Sequence, residues 1–149
     1  MDFSYNFPAV RGIQAGREYY VSMVPLKLLP RLFPSDDEIV PPECRAQRRI
    51  NESRIPEIKK YILANRTNYV FSALSAAING EHKFIPYADG DAGILTVSME
   101  AIFLINDGQH RKSAIEEALA EDPTLENETI SVVFFSDEGL KRSQQMFTD

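Results

Sequence analysis

The clearest pattern in the chain is an apolar run followed by a polar turn and an amphipathic segment. Residues 101–105 are all apolar, which is typical of a central strand buried on both faces. The sequence Asn106-Asp107-Gly108 then predicts a sharp turn. From residue 109 or 110 to residue 120 the spacing of apolar residues predicts a helix that ends at Asp122-Pro123. The inward face of this helix is predicted to be Ala114, Ile115, Ala118 and Leu119.

A second helix is predicted over residues 54–64. Ile55, Ile58 and Ile62 recur at spacings of three and four, which places them on one stripe. Pro56 is compatible with this helix only in its first turn, where its missing N–H costs no hydrogen bond. Asn51 or Ser53 supplies the expected cap.

Runs rich in apolar and β-branched residues predict the strands. They cover residues 19–24, 69–78, 83–86, 94–98 and 129–135. Residues 26–33 predict a short helical turn, and the alternation of Phe3, Tyr5 and Phe7 predicts an edge strand that Pro8 stops. A last helix is expected after Ser136. Strands and helices together indicate an α+β or α/β domain.

Composition narrows the class of protein. A chain of 149 residues with 44% hydrophobic and 26% charged residues is an ordinary globular sequence, and we expect one domain over residues 1–149. No apolar stretch approaches the roughly 20 residues of a membrane span. The single cysteine, Cys44, excludes an internal disulfide and a cysteine-built zinc site. These features predict a cytoplasmic protein with no membrane partner.

The charge is unevenly distributed along the chain. The net charge is −6, which argues against a wholly basic nucleic-acid-binding surface. Residues 45–66 nevertheless carry +5, whereas residues 113–149 carry −7. This basic segment either binds an anion locally or is a solvated helix face with ordinary charge mixing. Its basic residues are Arg45, Arg48, Arg49, Arg54, Lys59, Lys60 and Arg66.

The turn between the apolar run and the helix offers chemistry suited to an anion. The first amides of a helix lack backbone partners and lie at the positive end of its dipole, where phosphate commonly binds. Gly108 allows a close backbone approach, and Arg111 offers a bidentate fork for phosphate oxygens. His110 can donate to phosphate or pass a proton, and Gln109 can orient a water molecule or contact a base edge. Asp107 can cap the helix, fix His110 or Arg111, or reach a metal.

A purely structural interpretation of the same turn remains open. Asp107 then only caps the helix, Gly108 is an ordinary turn glycine, and His110 and Arg111 are exposed residues of the first turn. The chain contains no P-loop, G-x-S-x-G or H-E-x-x-H motif. His82 is expected at the surface, and Asp89 and Asp91 fit a glycine-rich turn better than a cation site.

The string Asp-Gly-Gln-His-Arg at residues 107–111 resembles the signature of the DGQHR-domain family. This family includes the DndB proteins, which are encoded with the DNA phosphorothioation (sulfur-modification) genes. The resemblance extends over most of the chain, through "YYVSMVPLKLL" at residues 19–29, "QRRINESRIPEIKKYI" at 47–62, "NYVFSALSAAI" at 68–78 and "VVFFSDEGLKRSQQMFTD" at 132–149. Because that last string ends within a motif, and family members are usually more than twice as long, we expect the domain to be truncated at its C-terminal end.

The resemblance implies a fold and a set of site residues. The family is similar in outline to the ParB/sulfiredoxin-like fold, a mixed sheet flanked by helices whose strand–Gly–x–x–Arg–helix turn holds nucleotide phosphates. Carried over by motif, Gly108, Gln109, His110 and Arg111 would lie on the phosphates. Arg48 and Arg49 would face the same pocket. Sulfiredoxin chemistry is excluded, since Gln109 stands where the thiol would be needed.

The resemblance also implies alternative functions. The first is a DNA-binding regulator of a phosphorothioation operon, a homodimer like many operon regulators, which contacts promoter DNA through Arg45, Arg48, Arg49, Arg54, Lys59 and Lys60. The second is an NTPase of a modification or restriction system, similar to GmrSD-type enzymes, that takes a nucleoside triphosphate with Mg. In that case Asp107, Gln109 and His110 would be catalytic. The third is an interaction module without a ligand. No metal bound by the protein itself is predicted.

Overall fold

The computed structural model describes residues 3–33 and 54–136 and contains an α+β fold, as the sequence predicts. A seven-stranded mixed sheet runs in the order β4-β5-β1-β2-β7-β3-β6. The strands are β1 Ser4–Gln14, β2 Arg17–Pro25, β3 Leu74–Asn79, β4 His82–Pro86, β5 Ala92–Ser98, β6 Ile102–Asp107 and β7 Thr129–Ser136. Only β3 and β7 pair in parallel; the other neighbours are antiparallel.

The helices of the described residues agree closely with the sequence pattern. They are α1 Leu29–Leu32, preceded by a 3-10 turn at Leu26–Leu28, then α2 Arg54–Ala64 and α3 Gln109–Glu121. A second 3-10 turn, Pro123–Asn127, leads from α3 into β7. Within these ranges no helix is long and apolar enough to cross a membrane. The predicted cap of α2 at residue 51 or 53 and the predicted last helix lie outside the described residues.

The prediction that Pro8 stops an edge strand is wrong. β1 continues through Pro8 and lies inside the sheet, between β5 and β2. The paired residues of β1 and β2 begin at Ala9, so the pairing with β2 requires no N–H donor from Pro8. The Pro8 carbonyl accepts a hydrogen bond from the buried Ser22 hydroxyl of β2 at 2.7 Å.

Two other strand predictions need correction. Residues 101–105 were expected in a central strand, but β6 lies at the end of the sheet as far as the structure describes it. Phe103, Leu104 and Ile105 are nevertheless buried. The apolar run therefore indicates that both faces of the strand are covered, but it does not indicate where the strand lies in the sheet. The strand predicted over residues 69–78 begins only at Leu74, because residues 69–73 form a connection that packs beside α2.

The sheet coils strongly around an aromatic core. Tyr5 of β1 and Phe103 of β6 touch with ring centroids 6.1 Å apart, although three strands separate them in the sheet order. Phe134 of β7 lies 5.6 Å from Phe7 and 5.7 Å from Phe103. Ile62 of α2 and Ile115 of α3 join the same core, so the helices close the concave side. This packing fixes the end of β6 and the start of α3 relative to β3.

Candidate functional site

A single residue, Gly108, separates β6 from α3, and we call Gly108 with the first residues of α3, up to Arg111, the β6–α3 turn. β6 ends at Asp107 and α3 begins at Gln109. Gly108 has φ 105° and ψ 19°, in the left-handed region that favours glycine. A Cβ at this position would lie 2.4 Å from Leu74 Cδ2 and 2.8 Å from Arg111 Nη2. The turn therefore requires glycine for both its conformation and its packing.

The guanidinium of Arg111 folds back over Gly108. Its Nη1 donates to Ser72 Oγ at 3.0 Å and its Nη2 donates to the Ala73 carbonyl at 3.2 Å. Nη2 also lies 3.6 Å from Asp107 Oδ2. Arg111 thus joins the turn to the residues that lead into β3, a structural role in addition to any contact with a ligand.

Asp107 does not occupy the N-cap position of α3. Gly108 occupies that position and has no side chain that could accept a hydrogen bond. The Lys112 amide donates to the Gly108 carbonyl at 2.9 Å, which closes the first turn of α3. Of the roles considered for Asp107, the structure shows the pairing with Arg111.

The remaining signature residues lie in the first turn of α3. Gln109 and His110 are half-buried there. The amides of Gln109, His110 and Arg111 precede the first intrahelical hydrogen bond and point out of the helix start. Two further donors, Asn106 Nδ2 and Arg111 Nε, are buried without a hydrogen-bond acceptor among the described residues. Because these two atoms are buried, the donors that the turn offers to an anion are the first amides of α3.

The basic segment is only partly described. Arg45, Arg48 and Arg49 lie outside the described residues, as does Cys44. Arg54 and Lys60 are exposed on α2. Lys59 points to α3 instead, where its Nζ lies 2.7 Å from Glu121 Oε2 and 3.8 Å from Glu117 Oε1. The hydrogen bond to Glu121 raises the pKa of Lys59.

Arg66 is the centre of a network that the sequence pattern did not reveal. Its Nε donates to Asp122 Oδ2 at 2.8 Å, its Nη1 to Glu128 Oε2 at 3.0 Å, and its Nη2 to Thr124 Oγ1 at 3.1 Å. The Tyr69 hydroxyl donates to Glu128 Oε1. Asp-Pro-Thr at residues 122–124 signals a cap, and Asp122 does accept from the Thr124 amide at 3.1 Å. The pairing with Arg66, 56 residues away, has no local signal.

The Arg66 network shifts the titration of its members. Burial, and then the hydrogen bond to Glu128, raise the pKa of Tyr69 to about 12. Hydrogen bonds from Thr124 and then from Arg66 lower the pKa of Asp122. The network is therefore built around an ionised carboxylate and a neutral phenol.

His82 differs from its prediction as a surface residue. It is half-buried, with Nδ1 2.8 Å from the Gly80 carbonyl and Nε2 2.7 Å from Ser136 Oγ. Asp91, which was assigned to a turn, accepts from Arg11 Nη2 at 3.2 Å. Within the described ranges no three His, Cys, Asp or Glu side chains converge as a metal site would require.

Comparison with known proteins gives one match. The family model described as "DndB: DNA-sulfur modification-associated" matches residues 7–149, nearly the whole chain. No curated protein and no solved structure matches the chain. The matched region includes all residues of the β6–α3 turn and of the basic segment.

Proposed function

Because the chain belongs to the DndB family, which is associated with DNA sulfur modification, we propose that it is a DNA-binding regulator of a sulfur-modification operon. In this proposal the β6–α3 turn binds a phosphate group of a nucleotide. The observation that carries the phosphate site is the geometry of Gly108. Gly108 occupies the N-cap in a left-handed conformation and has no side chain, so it places no side-chain acceptor of its own on the first amides of α3, where an anion can bind.

Charge and hydrogen-bonding capacity at the turn support phosphate. The dipole of α3 favours negative charge at Gln109, and the Arg111 guanidinium adds a full positive charge. The imidazole of His110 lies in the same helical turn and is chemically able to donate a hydrogen bond to phosphate. Asp107 Oδ2 lies 3.6 Å from Arg111 Nη2 and partly offsets its positive charge. We propose that Gly108, Gln109, His110 and Arg111 contact the phosphates, with Arg48 and Arg49 beside them.

The basic segment supports the DNA contact. Arg54 and Lys60 present exposed charges on α2, in a chain whose net charge is −6. We propose that they contact the DNA backbone together with Arg45, Arg48 and Arg49. Lys59 contributes less, because Glu121 and Glu117 already hold its ammonium. Phosphate contacts of this kind make affinity strongly dependent on salt.

Fluorescence anisotropy with promoter DNA of a sulfur-modification operon tests the proposal. The wild-type chain is titrated at 50, 100 and 200 mM salt against promoter and scrambled duplexes. We expect promoter binding that weakens steeply with salt and is reduced in the double variant Arg54→Ala/Lys60→Ala. Lys27→Ala, which removes an exposed lysine outside the basic segment, is the matched control and should bind as wild type. No preference for the promoter at 50 mM salt would refute the regulator.

An NTPase is the second candidate, favoured by the placement of Gln109 and His110 in the turn next to the proposed phosphates. These residues would orient water and transfer a proton, with Asp107 fixing Arg111 or contacting Mg²⁺ carried by the nucleotide. Phosphate release from ATP, GTP and CTP with Mg²⁺ tests it. Turnover that is lost in Gln109→Ala and Arg111→Ala supports hydrolysis. Absence of turnover in the wild-type chain rules hydrolysis out while leaving nucleotide binding to be measured separately.

A further inference from the structure

The connection between α2 and β3 is held by two arginines that come from different parts of the chain. We call residues 65–73 the strap. Arg66 lies at its start, and Arg111 reaches its end through Ser72 and Ala73. The strap therefore joins the α3–β7 connection to the proposed phosphate-binding turn.

The start of the strap is fixed by the Arg66 network. All three kinds of guanidinium nitrogen are used, toward Asp122, Glu128 and Thr124. Arg66 is only partly exposed, with 26% of its side-chain area accessible. Ion pairs shielded in this way and arranged as a network are more constraining than single surface pairs.

The middle of the strap packs against α2. Tyr69 packs against Phe71 with ring centroids 5.6 Å apart, and Phe71 packs against Tyr61 of α2 at 5.8 Å. The Val70 amide donates to the Tyr61 hydroxyl at 2.8 Å. These contacts form a continuous path from Tyr69, which shares Glu128 with Arg66, to Phe71 beside Ser72, and can transmit a constraint along it.

The end of the strap limits where Arg111 can lie. Ser72 Oγ and the Ala73 carbonyl accept from Nη1 and Nη2, which holds the guanidinium against Gly108. A shift of the strap would therefore move the guanidinium away from the turn. It would also alter the start of β3 at Leu74, whose side chain packs against Gly108.

We propose that Arg66 is a positioning residue for Arg111, and that the strap couples the α3–β7 connection to the turn. The link to ligand binding rests on the proposed function, whereas the mechanical coupling does not. Because coupling is reciprocal, a phosphate that engages Arg111 alters the protection of the strap, and loss of the Arg66 network weakens phosphate binding.

Hydrogen exchange of the free chain, followed by mass spectrometry, tests the coupling without a ligand. In Arg66→Gln we expect exchange to accelerate about three- to tenfold in peptides covering residues 70–75 and 108–112. Arg11→Gln is the matched control, since Arg11 also pairs with two carboxylates, Glu18 and Asp91, but does not contact the strap. Acceleration confined to residues 65–69 and 122–128, or equal acceleration in the control, would overturn the proposal.

A milder variant keeps the test decisive if Arg66→Gln unfolds. Thr124→Val removes one acceptor of Arg66 and the hydroxyl that donates to Asp122, and it leaves both carboxylates. The same peptides should therefore accelerate to a smaller extent. An unchanged exchange pattern at residues 108–112 in a folded Thr124→Val chain, together with an unfolded Arg66→Gln chain, would assign the network to global stability and reject the coupling.

Binding of sodium triphosphate separates this proposal from the proposed function. Weaker binding in Arg66→Gln than in Arg11→Gln supports the coupled strap. Absence of binding by the wild-type chain refutes the phosphate site and leaves the exchange result to decide the coupling. Equal binding by both variants, with no accelerated exchange at the turn, overturns the coupling alone.

Discussion

At the scale of single residues, Gly108 is the most constrained position of the β6–α3 turn. Its φ of 105° and the 2.4 Å separation between an added Cβ and Leu74 Cδ2 both disfavour any residue other than glycine. We expect Gly108→Ala to lower the free energy of unfolding by about 2–3 kcal/mol, from backbone strain and repacking together. Urea denaturation measures this value.

Gly16→Ala is the control for the strain alone. Gly16 also has a left-handed φ, +75°, but among the described residues no atom lies within 4 Å of its added Cβ. The expected loss is about 1 kcal/mol. Equal losses at both glycines would show that the contacts with Leu74 and Arg111 do not constrain the turn.

The raised pKa of Tyr69 predicts that the free energy of unfolding falls at alkaline pH. The folded state raises its pKa from 10.0 to about 12, so the unfolded chain loses this proton first as the pH rises. The stability associated with the neutral phenol is complete below pH 10 and is lost between pH 10 and about 12. Tyr69→Phe should be less stable by about 1 kcal/mol at pH 8, through the lost hydrogen bond.

Between pH 9 and pH 11 the free energy of unfolding should fall less in Tyr69→Phe than in the wild-type chain. Equilibrium urea unfolding at both pH values gives the comparison. Tyr61→Phe, at a more exposed tyrosine that does not contact Glu128, is the control. Parallel decreases in wild type and Tyr69→Phe would show that Tyr69 does not carry the effect.

At the scale of elements, the two long helices could be predicted almost to the residue. α2 and α3 are encoded by local features, namely the Ile55, Ile58 and Ile62 stripe and the Gly108 turn followed by apolar spacing. The position of β6 and the passage of β1 through Pro8 could not be predicted, because both depend on which strands pair. Local sequence encodes burial and turns, whereas pairing is decided by residues far away in the chain.

In the candidate site, too, the local features could be predicted and the long-range contacts could not. The sequence alone located Gly108 and Arg111 in a strand–turn–helix unit. It could not show that Arg111 binds Ser72 and Ala73, 39 and 38 residues away. For the same reason the sequence could not show that Lys59, predicted to contact DNA, and Arg66 of the basic segment are both paired with acids.

Helix α2 offers a matched pair of adjacent lysines. Lys60 is exposed, whereas Glu121 and Glu117 hold Lys59. We expect Lys60→Ala to reduce the slope of log affinity against log salt for promoter DNA by about 1. Lys59→Ala should leave that slope unchanged. A larger change for Lys59→Ala, with both variants folded by circular dichroism, would contradict the placement of DNA along the exposed side of α2.

At the scale of the whole molecule, the coiled sheet is held together by its aromatic core. Phe134 is fully buried and contacts both Phe7 and Phe103, which come from opposite parts of the sheet. Phe134→Ala should therefore reduce the free energy of unfolding by about 3–5 kcal/mol. Phe135→Ala, the neighbouring position on the opposite face of β7, should cost clearly less because Phe135 is only half-buried. Similar losses in urea denaturation would contradict this placement of the core.

We propose the Gly108–Arg111 turn as the phosphate site of the whole fold, and backbone amide shifts in NMR test this proposal most directly. Sodium triphosphate is titrated into the uniformly ¹⁵N-labelled wild-type chain and into Arg111→Gln. We predict saturable shifts centred on the amides of residues 108–112, much weaker in the variant, with smaller changes along the strap. Absence of shifts at millimolar triphosphate, or shifts confined to α2, would contradict the account.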